Sequence, residues 1–192
     1  MYEQETPAYA HIIVAQHQAT TEPRQLACAK AQNMALSGVQ TEWVLRLADD
    51  DWLGPRAIKL LLAGSRDADV VYSAERRGAG GIRNVNDWSQ SKLADYLRTS
   101  DVMGPSGDMY RVDYLRSIGG WTTNFHHGHF HHSLVPYCLA IWEDFATRAT
   151  LAYVGARFHY VDYPTWSVGD DAPSRIGDGR YDWSPCPSVA TG

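Results

Sequence analysis

The stretch Trp43-Val44-Leu45-Arg46-Leu47-Ala48-Asp49-Asp50-Asp51-Trp52 decides how this chain is interpreted. Its first half is apolar apart from Arg46 and predicts a buried strand over 44–48, and three carboxylates follow directly. Carboxylates repel one another unless a cation holds them, and oxygen-only ligands favour a hard divalent ion such as Mg²⁺ or Mn²⁺. The alternative is an acidic turn that caps the next helix.

The elements around this run predict an α/β fold. A β-branched strand at 11–15, an Ala-rich helix at 26–37, the strand at 44–48, a helix from Pro55 to Gly64 and a strand at 69–73 follow in order. This alternation is typical of a Rossmann-like, mostly parallel sheet flanked by helices, in which ligands bind outside the carboxyl ends of the strands. The acidic run therefore lies where a nucleotide is expected.

Further elements are predicted downstream. They are a Gly-rich loop at 76–86, a helix at 91–98, a strand at 106–111, a helix at 112–118 ended by Gly119-Gly120, a helix at 142–154, a strand at 157–161 and an irregular segment at 163–192. We interpret 1–165 as one domain and 166–192 as an irregular C-terminal tail.

Composition narrows the function classes. The chain has 192 residues, of which 44% are apolar, and its 17 basic and 22 acidic side chains leave a formal charge of -5. This balance argues against a nucleic-acid-binding surface, which needs clustered Lys and Arg. No segment approaches the roughly 18 apolar residues of a membrane span. Three distant cysteines, Cys28, Cys138 and Cys186, favour reduced thiols and a cytoplasmic location.

Three segments occur in a characteristic order: the acidic run, 106–121 with its Gly-Gly-Trp end, and Trp142-Glu143-Asp144-Phe145, which leads into a helix and then the strand with His159. Over roughly residues 10–165 the chain resembles the family 2 glycosyltransferases, which have the GT-A fold. In that family a strand ends in Asp-x-Asp, a strand and helix end in Gly-Gly plus an aromatic residue, and a Glu-Asp pair opens a helix facing the donor sugar.

The resemblance implies that the chain moves a sugar from a nucleotide-diphosphate sugar to a hydroxyl acceptor with inversion. The acceptor is a glycan, a protein side chain or a modified base. It implies that Asp50, with Asp49 or Asp51, holds Mn²⁺ or Mg²⁺. Such an ion stabilises the charge on the leaving diphosphate.

A separate carboxylate must take the proton of the attacking hydroxyl, and the resemblance implies that it is Asp144, with Glu143 beside it. It also implies His159 as a late metal ligand. The alternatives are ordinary charge at a helix N-terminus for Glu143-Asp144 and a core position for His159. The remaining predicted substrate-binding residues are Gly107, Asp108, Trp121 and Trp142, and packing is the alternative for the tryptophans.

The chain also departs from the family. Ala48 replaces the first family aspartate, and Thr150 stands where many members carry an arginine, with Arg148 expected on another face. Only ten residues precede His11, where the family has another strand-helix-strand unit, so either that unit is absent or a second copy or a partner chain completes the sheet. These departures keep open a non-catalytic or partner-dependent nucleotide- or glycan-binding module of the same fold.

Five histidines crowd the segment between the Gly-Gly-Trp turn and the Glu-Asp pair: His126, His127, His129, His131 and His132. We interpret the segment as a polar loop that contacts donor phosphates or acceptor. The alternative is a zinc- or nickel-binding site, because imidazoles favour those metals over magnesium.

Overall fold

The structure, a computed structural model, describes residues 8, 12, 22–48, 51–77, 81–83, 106–126, 129–135 and 142–168. The predicted strand at 11–15, the predicted helix at 91–98 and the tail beyond 168 lie outside the described residues, apart from residue 12.

The described residues form four helices and eight strands. In chain order they are α1 (Arg24–Ser37), β1 (Trp43–Leu45), β2 (Asp51–Leu53), α2 (Ala57–Ala63), β3 (Val70–Arg77), β4 (Gly81–Arg83), β5 (Met109–Arg111), α3 (Val112–Ser117), β6 (Phe125–His126), β7 (His129–Phe130), α4 (Glu143–Tyr153) and β8 (Phe158–Val168). None of these helices is long and apolar enough to cross a membrane.

The sheet is mixed rather than mostly parallel. Its strand order is β1-β5-β3-β8-β2, β4 pairs with β3, and β6 and β7 form a separate hairpin. β3 and β8 are parallel, whereas the other pairings within this sheet are antiparallel. β1 and β3 run in the same direction, as the alternating elements predicted, but β5 lies between them and runs the opposite way. The α/β class is thus confirmed, but the strand pairing differs from the mostly parallel arrangement that the sequence predicted.

Helices cover both faces of the sheet. Alternate residues of β3 face opposite sides, so Val70 and Tyr72 pack in a core with α1, α3 and α4, while Val71 packs against Leu61 of α2. The predicted helices that fall within the described residues are therefore confirmed as α1, α2, α3 and α4, and α4 is buried over its whole length from 143 to 152.

Two predicted irregular segments are partly strand. Residues 75–77, at the start of the predicted Gly-rich loop, pair with 81–83 as a hairpin. β8 continues to Val168, so the prediction of irregular structure from Tyr163 is wrong for 163–168, and the first three residues of the predicted tail belong to the sheet. A proline is unexpected inside a strand because it cannot donate a backbone hydrogen bond. Pro164 is tolerated because it lies within 162–165, where the register with β3 shifts, so its missing N–H removes no regular ladder bond.

Candidate functional site

The candidate site lies where the carboxyl end of β1 meets the amino end of β5. The Arg46 N–H donates to the Asp108 carbonyl at 3.1 Å, and the Gly107 N–H donates to the Arg46 carbonyl at 2.9 Å. These bonds extend the β1–β5 ladder beyond the strands and hold Arg46 beside Asp108. Ala48, the last described residue before Asp49 and Asp50, donates its N–H to Ser106 Oγ at 2.9 Å. The chain therefore enters the acidic run at this edge.

Glu143 and Asp144 open α4 and are 3% and 5% exposed. Arg46 reaches both of them, because Nη2 donates to Glu143 Oε1 at 3.3 Å and Nη1 to Asp144 Oδ2 at 3.5 Å. Gln32 of α1 donates from Nε2 to Glu143 Oε1 at 3.1 Å. One partly exposed arginine, immediately after β1, thus joins two buried carboxylates of α4.

Arg148, one turn further along α4, extends this network. Its Nε donates to Asp108 Oδ2 at 2.7 Å, and its Nη2 lies 3.6 Å from Asp144 Oδ2. The Tyr110 hydroxyl also donates to Asp108 Oδ2, at 3.1 Å. Arg148 meets Asp144 because residues four apart share a helix face and Arg148 follows Asp144 by four positions. We call the following set the buried cluster: Gln32, Arg46, Asp108, Tyr110, Glu143, Asp144 and Arg148.

Burial governs the electrostatics of this cluster. Burial and, after it, the charge of Asp144 raise the pKa of Glu143 to about 7, although Arg46 and the Gln32 hydrogen bond act against both. Burial also raises the pKa of Asp108, although the charge of Arg148 and the Tyr110 hydrogen bond oppose it. A carboxyl group whose pKa lies near 7 exchanges its proton at neutral pH, as acid–base chemistry requires.

The Gly-Gly-Trp turn is hydrogen-bonded to α1. Asn33 Nδ2 donates to the Trp121 carbonyl at 2.7 Å, and the Trp121 N–H donates to Asn33 Oδ1 at 2.8 Å. Gly120 has φ +82°, and a Cβ there would lie 2.3 Å from Asn33 Oδ1. The Trp121 ring is buried and meets Tyr110 edge to face, with centroids 5.9 Å apart. Trp121 thus packs directly on the buried cluster.

The other predicted substrate-binding residues differ in environment. Asp108 is buried and bonded as described above. Gly107 has φ +78°, and a Cβ there would lie 2.2 Å from the Trp166 ring, so only glycine fits between β5 and this part of β8. Trp142, which immediately precedes α4, is exposed.

The predicted metal ligands are only partly described. Asp49 and Asp50 lie outside the described residues, and Asp51 is a buried residue of β2. The described ranges contain no group of three or more His, Cys, Asp or Glu side chains able to hold a metal ion. His159 contacts Gly64 just beyond α2, and its neighbours Phe158 and Tyr160 face the core on the α4 side. His159 and the Glu143-Asp144 pair therefore lie on opposite faces of the sheet.

His131 and His132 line a separate cleft of about 230 Å³, together with residues that include Ile118, Trp121 and Thr122. His132 Nδ1 accepts from the Leu134 N–H at 3.2 Å, so its Nε2 carries the hydrogen that is donated to the Ile118 carbonyl at 2.8 Å. The His126 and His131 rings are 6.2 Å apart, and His127 is outside the described residues. The roles predicted for this segment stay predictions.

Sequence analysis missed Arg46, Arg148, Gln32 and Tyr110 as members of the site. Two of them could have been recognised from the sequence. Arg46 is the one charge inside an otherwise apolar strand segment, and Arg148 lies four positions after Asp144. The other two are recognised only when the tertiary contacts are known.

Comparison with protein-family profiles and with curated proteins yields no match. Among solved structures, S. aureus TarS 1-349 is similar to this chain with a TM-score of 0.47 and 18% identity, covering 73% of this chain and 40% of that one. The same protein in complex with UDP-GlcNAc gives a TM-score of 0.46 and 18% identity, covering 73% and 38%. The chain thus spans about two-fifths of the length of these structures. A likeness of this size does not establish a common fold or family.

Proposed function

We propose that the protein is a metal-dependent glycosyltransferase with a GT-A-like fold, which moves a sugar from a nucleotide-diphosphate sugar to a hydroxyl acceptor with inversion. The observation that carries this proposal is the buried Glu143-Asp144 pair, held by Arg46 at the end of β1 from which the chain enters the acidic run. The resemblance of the three ordered motifs supports the same reaction.

In this proposal Asp144 takes the proton of the attacking hydroxyl. Its position in the first turn of α4 supports that role, because the positive end of the helix dipole stabilises an ionised carboxylate. Burial and the charge of Asp144 raise the pKa of Glu143 to about 7, so in this proposal the charge beside the base changes with the protonation of Glu143 near neutral pH. Arg46 limits the repulsion between the two carboxylates by binding both.

Asp50, with Asp49 and Asp51, would hold Mn²⁺ or Mg²⁺ in this reaction. Carboxylate oxygens are the donors that such hard ions prefer, so the residue types of the run fit the metal. When bound, the ion neutralises charge that develops on the leaving diphosphate. We leave His159 out of the proposed metal site, because it lies on the sheet face opposite the acidic pair.

A specific observation favours a second function, a non-catalytic nucleotide- or glycan-binding module. Both acidic side chains are already paired with arginine: Glu143 with Arg46, and Asp144 with Arg46 and Arg148. Paired carboxylates of this kind also serve as structural counter-ions. In the module, the pair would stabilise α4 and no proton would move.

The two functions are separated by incubating the protein with a panel of nucleotide sugars and measuring nucleoside diphosphate release with Mn²⁺ and with EDTA. The transferase releases diphosphate only with metal, and Asp144→Asn abolishes release while calorimetry shows that donor binding persists. Thr150→Val is a matched control in the same helix, since Thr150 bonds only a helix carbonyl among the contacts described.

Binding of a nucleoside diphosphate without release from any sugar donor would favour the module. Failure of every nucleoside diphosphate to bind, with and without Mn²⁺, would overturn the transferase and would leave for the module only glycan binding or dependence on a partner chain. Completion of the sheet by a second copy or a partner chain is also a prediction. The same assays are therefore run at several protein concentrations, since association of copies depends on concentration.

A further inference from the structure

We propose that Arg148 is a positioning residue for Asp144 and that Asp108 anchors Arg148 rather than binding substrate. This inference rests on the proposed function, in which Asp144 is the base. It assigns a role to two charged residues that the transfer reaction does not itself require.

Arg148 is completely buried, with 0% of its side chain exposed. A buried guanidinium needs carboxylate or other acceptor partners, because it has lost its hydration and cannot lose its proton. Its shortest charged contact is with Asp108, at 2.7 Å. Asp108 is itself nearly sealed from solvent and accepts a second hydrogen bond from Tyr110, at 3.1 Å. Oδ2 of Asp108 therefore accepts from two protein donors in a site that is nearly closed to solvent.

The Asp144 carboxylate is held on both oxygens. Oδ1 accepts the Phe145 N–H at 2.8 Å, and Oδ2 lies 3.6 Å from Arg148 Nη2 and 3.5 Å from Arg46 Nη1. Oδ2 thus sits between two guanidinium groups, which fixes the rotation of the carboxylate.

The two arginines that face Asp144 differ in solvent exposure and in the length of their contacts. The Arg46 side chain is 16% exposed and makes only contacts of 3.3 Å or longer to the acidic pair. Arg148 is sealed, and the 2.7 Å contact to Asp108 fixes its other nitrogen. Arg148 is therefore the more deeply buried and more closely held partner of the Asp144 carboxylate, and Arg46 is the more exposed one.

Arg148→Lys is the informative variant. Lysine keeps the charge but has one nitrogen, so it cannot contact Asp108 and Asp144 through separate donors as the guanidinium does. Asp108→Asn is the second variant, since it keeps the shape and the Tyr110 bond but removes the anchoring charge. Arg157→Lys is the matched control, because Arg157 also pairs with an aspartate through Nε, at 3.2 Å, but lies away from the cluster.

Two readouts test the proposal. We expect Arg148→Lys and Asp108→Asn to lower kcat about 10²-fold with the donor KM changed less than about threefold, because a small misplacement of a reacting group costs rate rather than binding. We also expect amide hydrogen exchange at Phe145 to accelerate about tenfold or more in both variants, since its acceptor is no longer held in place. Arg157→Lys should change neither.

Unchanged Phe145 exchange in Arg148→Lys would overturn the positioning role, whatever the turnover. A raised donor KM with unchanged kcat would also overturn it and would make Asp108 a substrate ligand. If the wild-type protein shows no turnover but exchange accelerates as expected, the positioning role stands and the transferase proposal fails.

Discussion

Two clusters of arginine and carboxylate groups lie at opposite ends of β5 and differ in burial. The buried cluster contains Asp108, bound to Arg148 at 2.7 Å. At the other end, Asp69 lies 3.2 Å from Arg157 Nε and 3.6 Å from Arg111 Nε, and Arg111 also pairs with Glu42. We call this second set, Glu42, Asp69, Arg111 and Arg157, the open cluster. The side chain of Arg157 is 58% exposed, whereas that of Arg148 is fully buried.

Arginine pairs with both Asp69 and Asp108, yet the pKa values of these two aspartates shift in opposite directions. Burial by itself would raise the pKa of Asp69, but the hydrogen bonds and charge of Arg157, with the charge of Arg111, bring that pKa below its usual value. For Asp108, burial outweighs Arg148 and Tyr110, and the pKa rises. Arginine contacts therefore do not decide proton affinity alone, since the loss of hydration can exceed the attraction they supply. The end of the sheet where burial wins is the candidate site.

The largest expected effect comes from removing the buried guanidinium. Arg148→Ala leaves Asp108 and Asp144 without a sealed partner charge, so we expect a loss of about 3–5 kcal/mol in the free energy of unfolding, measured with urea. Arg157→Ala at the open cluster should cost much less, because water replaces the exposed guanidinium. Equal losses at the two ends would contradict the difference in burial.

Glycine substitutions test how tightly the buried end is packed. Gly107→Ala requires a positive φ and places a Cβ 2.2 Å from Trp166, so we expect about 2–4 kcal/mol of destabilisation. Gly119→Ala is the control, because Gly119 also has a positive φ, +90°, but nothing lies within 4 Å of its Cβ position. It should cost only the backbone strain, about 1–2 kcal/mol. Both are measured by chemical denaturation.

The pH dependence of stability should have opposite signs at the two clusters. The folded protein binds a proton on Glu143 more tightly than the unfolded chain does, so this stabilisation is complete below pH 4.5 and is lost as the pH rises through about 7. Glu143→Gln should remove that loss. Asp69 has a lowered pKa, so its contribution is present above the usual Asp range and is lost on acidification, which Asp69→Asn should remove.

The unfolding free energy of each variant and of the wild type, measured from pH 3 to pH 8, checks both signs. A wild-type curve that runs parallel to the Glu143→Gln curve between about pH 5 and 7 would contradict the raised pKa of Glu143.

The smallest expected effect is that of salt. The Debye length falls from about 10 Å at 0.1 M to about 3 Å at 1 M, so the exposed Asp69–Arg157 pair should weaken as NaCl is added. The sealed Asp108–Arg148 pair should change little. Double-mutant cycles at both salt concentrations measure the two coupling energies, and equal salt sensitivity would show that water reaches both pairs.

Much of the local structure was predictable because its causes are local. Pro23 and Gly38 bracket α1, Pro55 and Gly64 bracket α2, and Gly155 ends α4 with φ +89°. The Glu143-Asp144 pair was also predicted to open a helix, and it does. These features depend on turn residues and periodicity, which neighbouring positions specify whatever the rest of the chain does.

Pairing and burial required the tertiary structure. Nothing in three-residue β1 or β5 indicates that β5 lies between β1 and β3, and Pro164 concealed the length of β8. The partners within the buried cluster are equally remote in sequence: Gln32 and Glu143 are 111 positions apart, and Arg46 and Asp144 are 98 apart. The sequence alone established that acidic residues and arginines were present and that the acidic motifs resemble those of family 2 glycosyltransferases. Only folding removed water from them, and that desolvation, which depends on every neighbour at once, decided which carboxyl groups have a raised pKa.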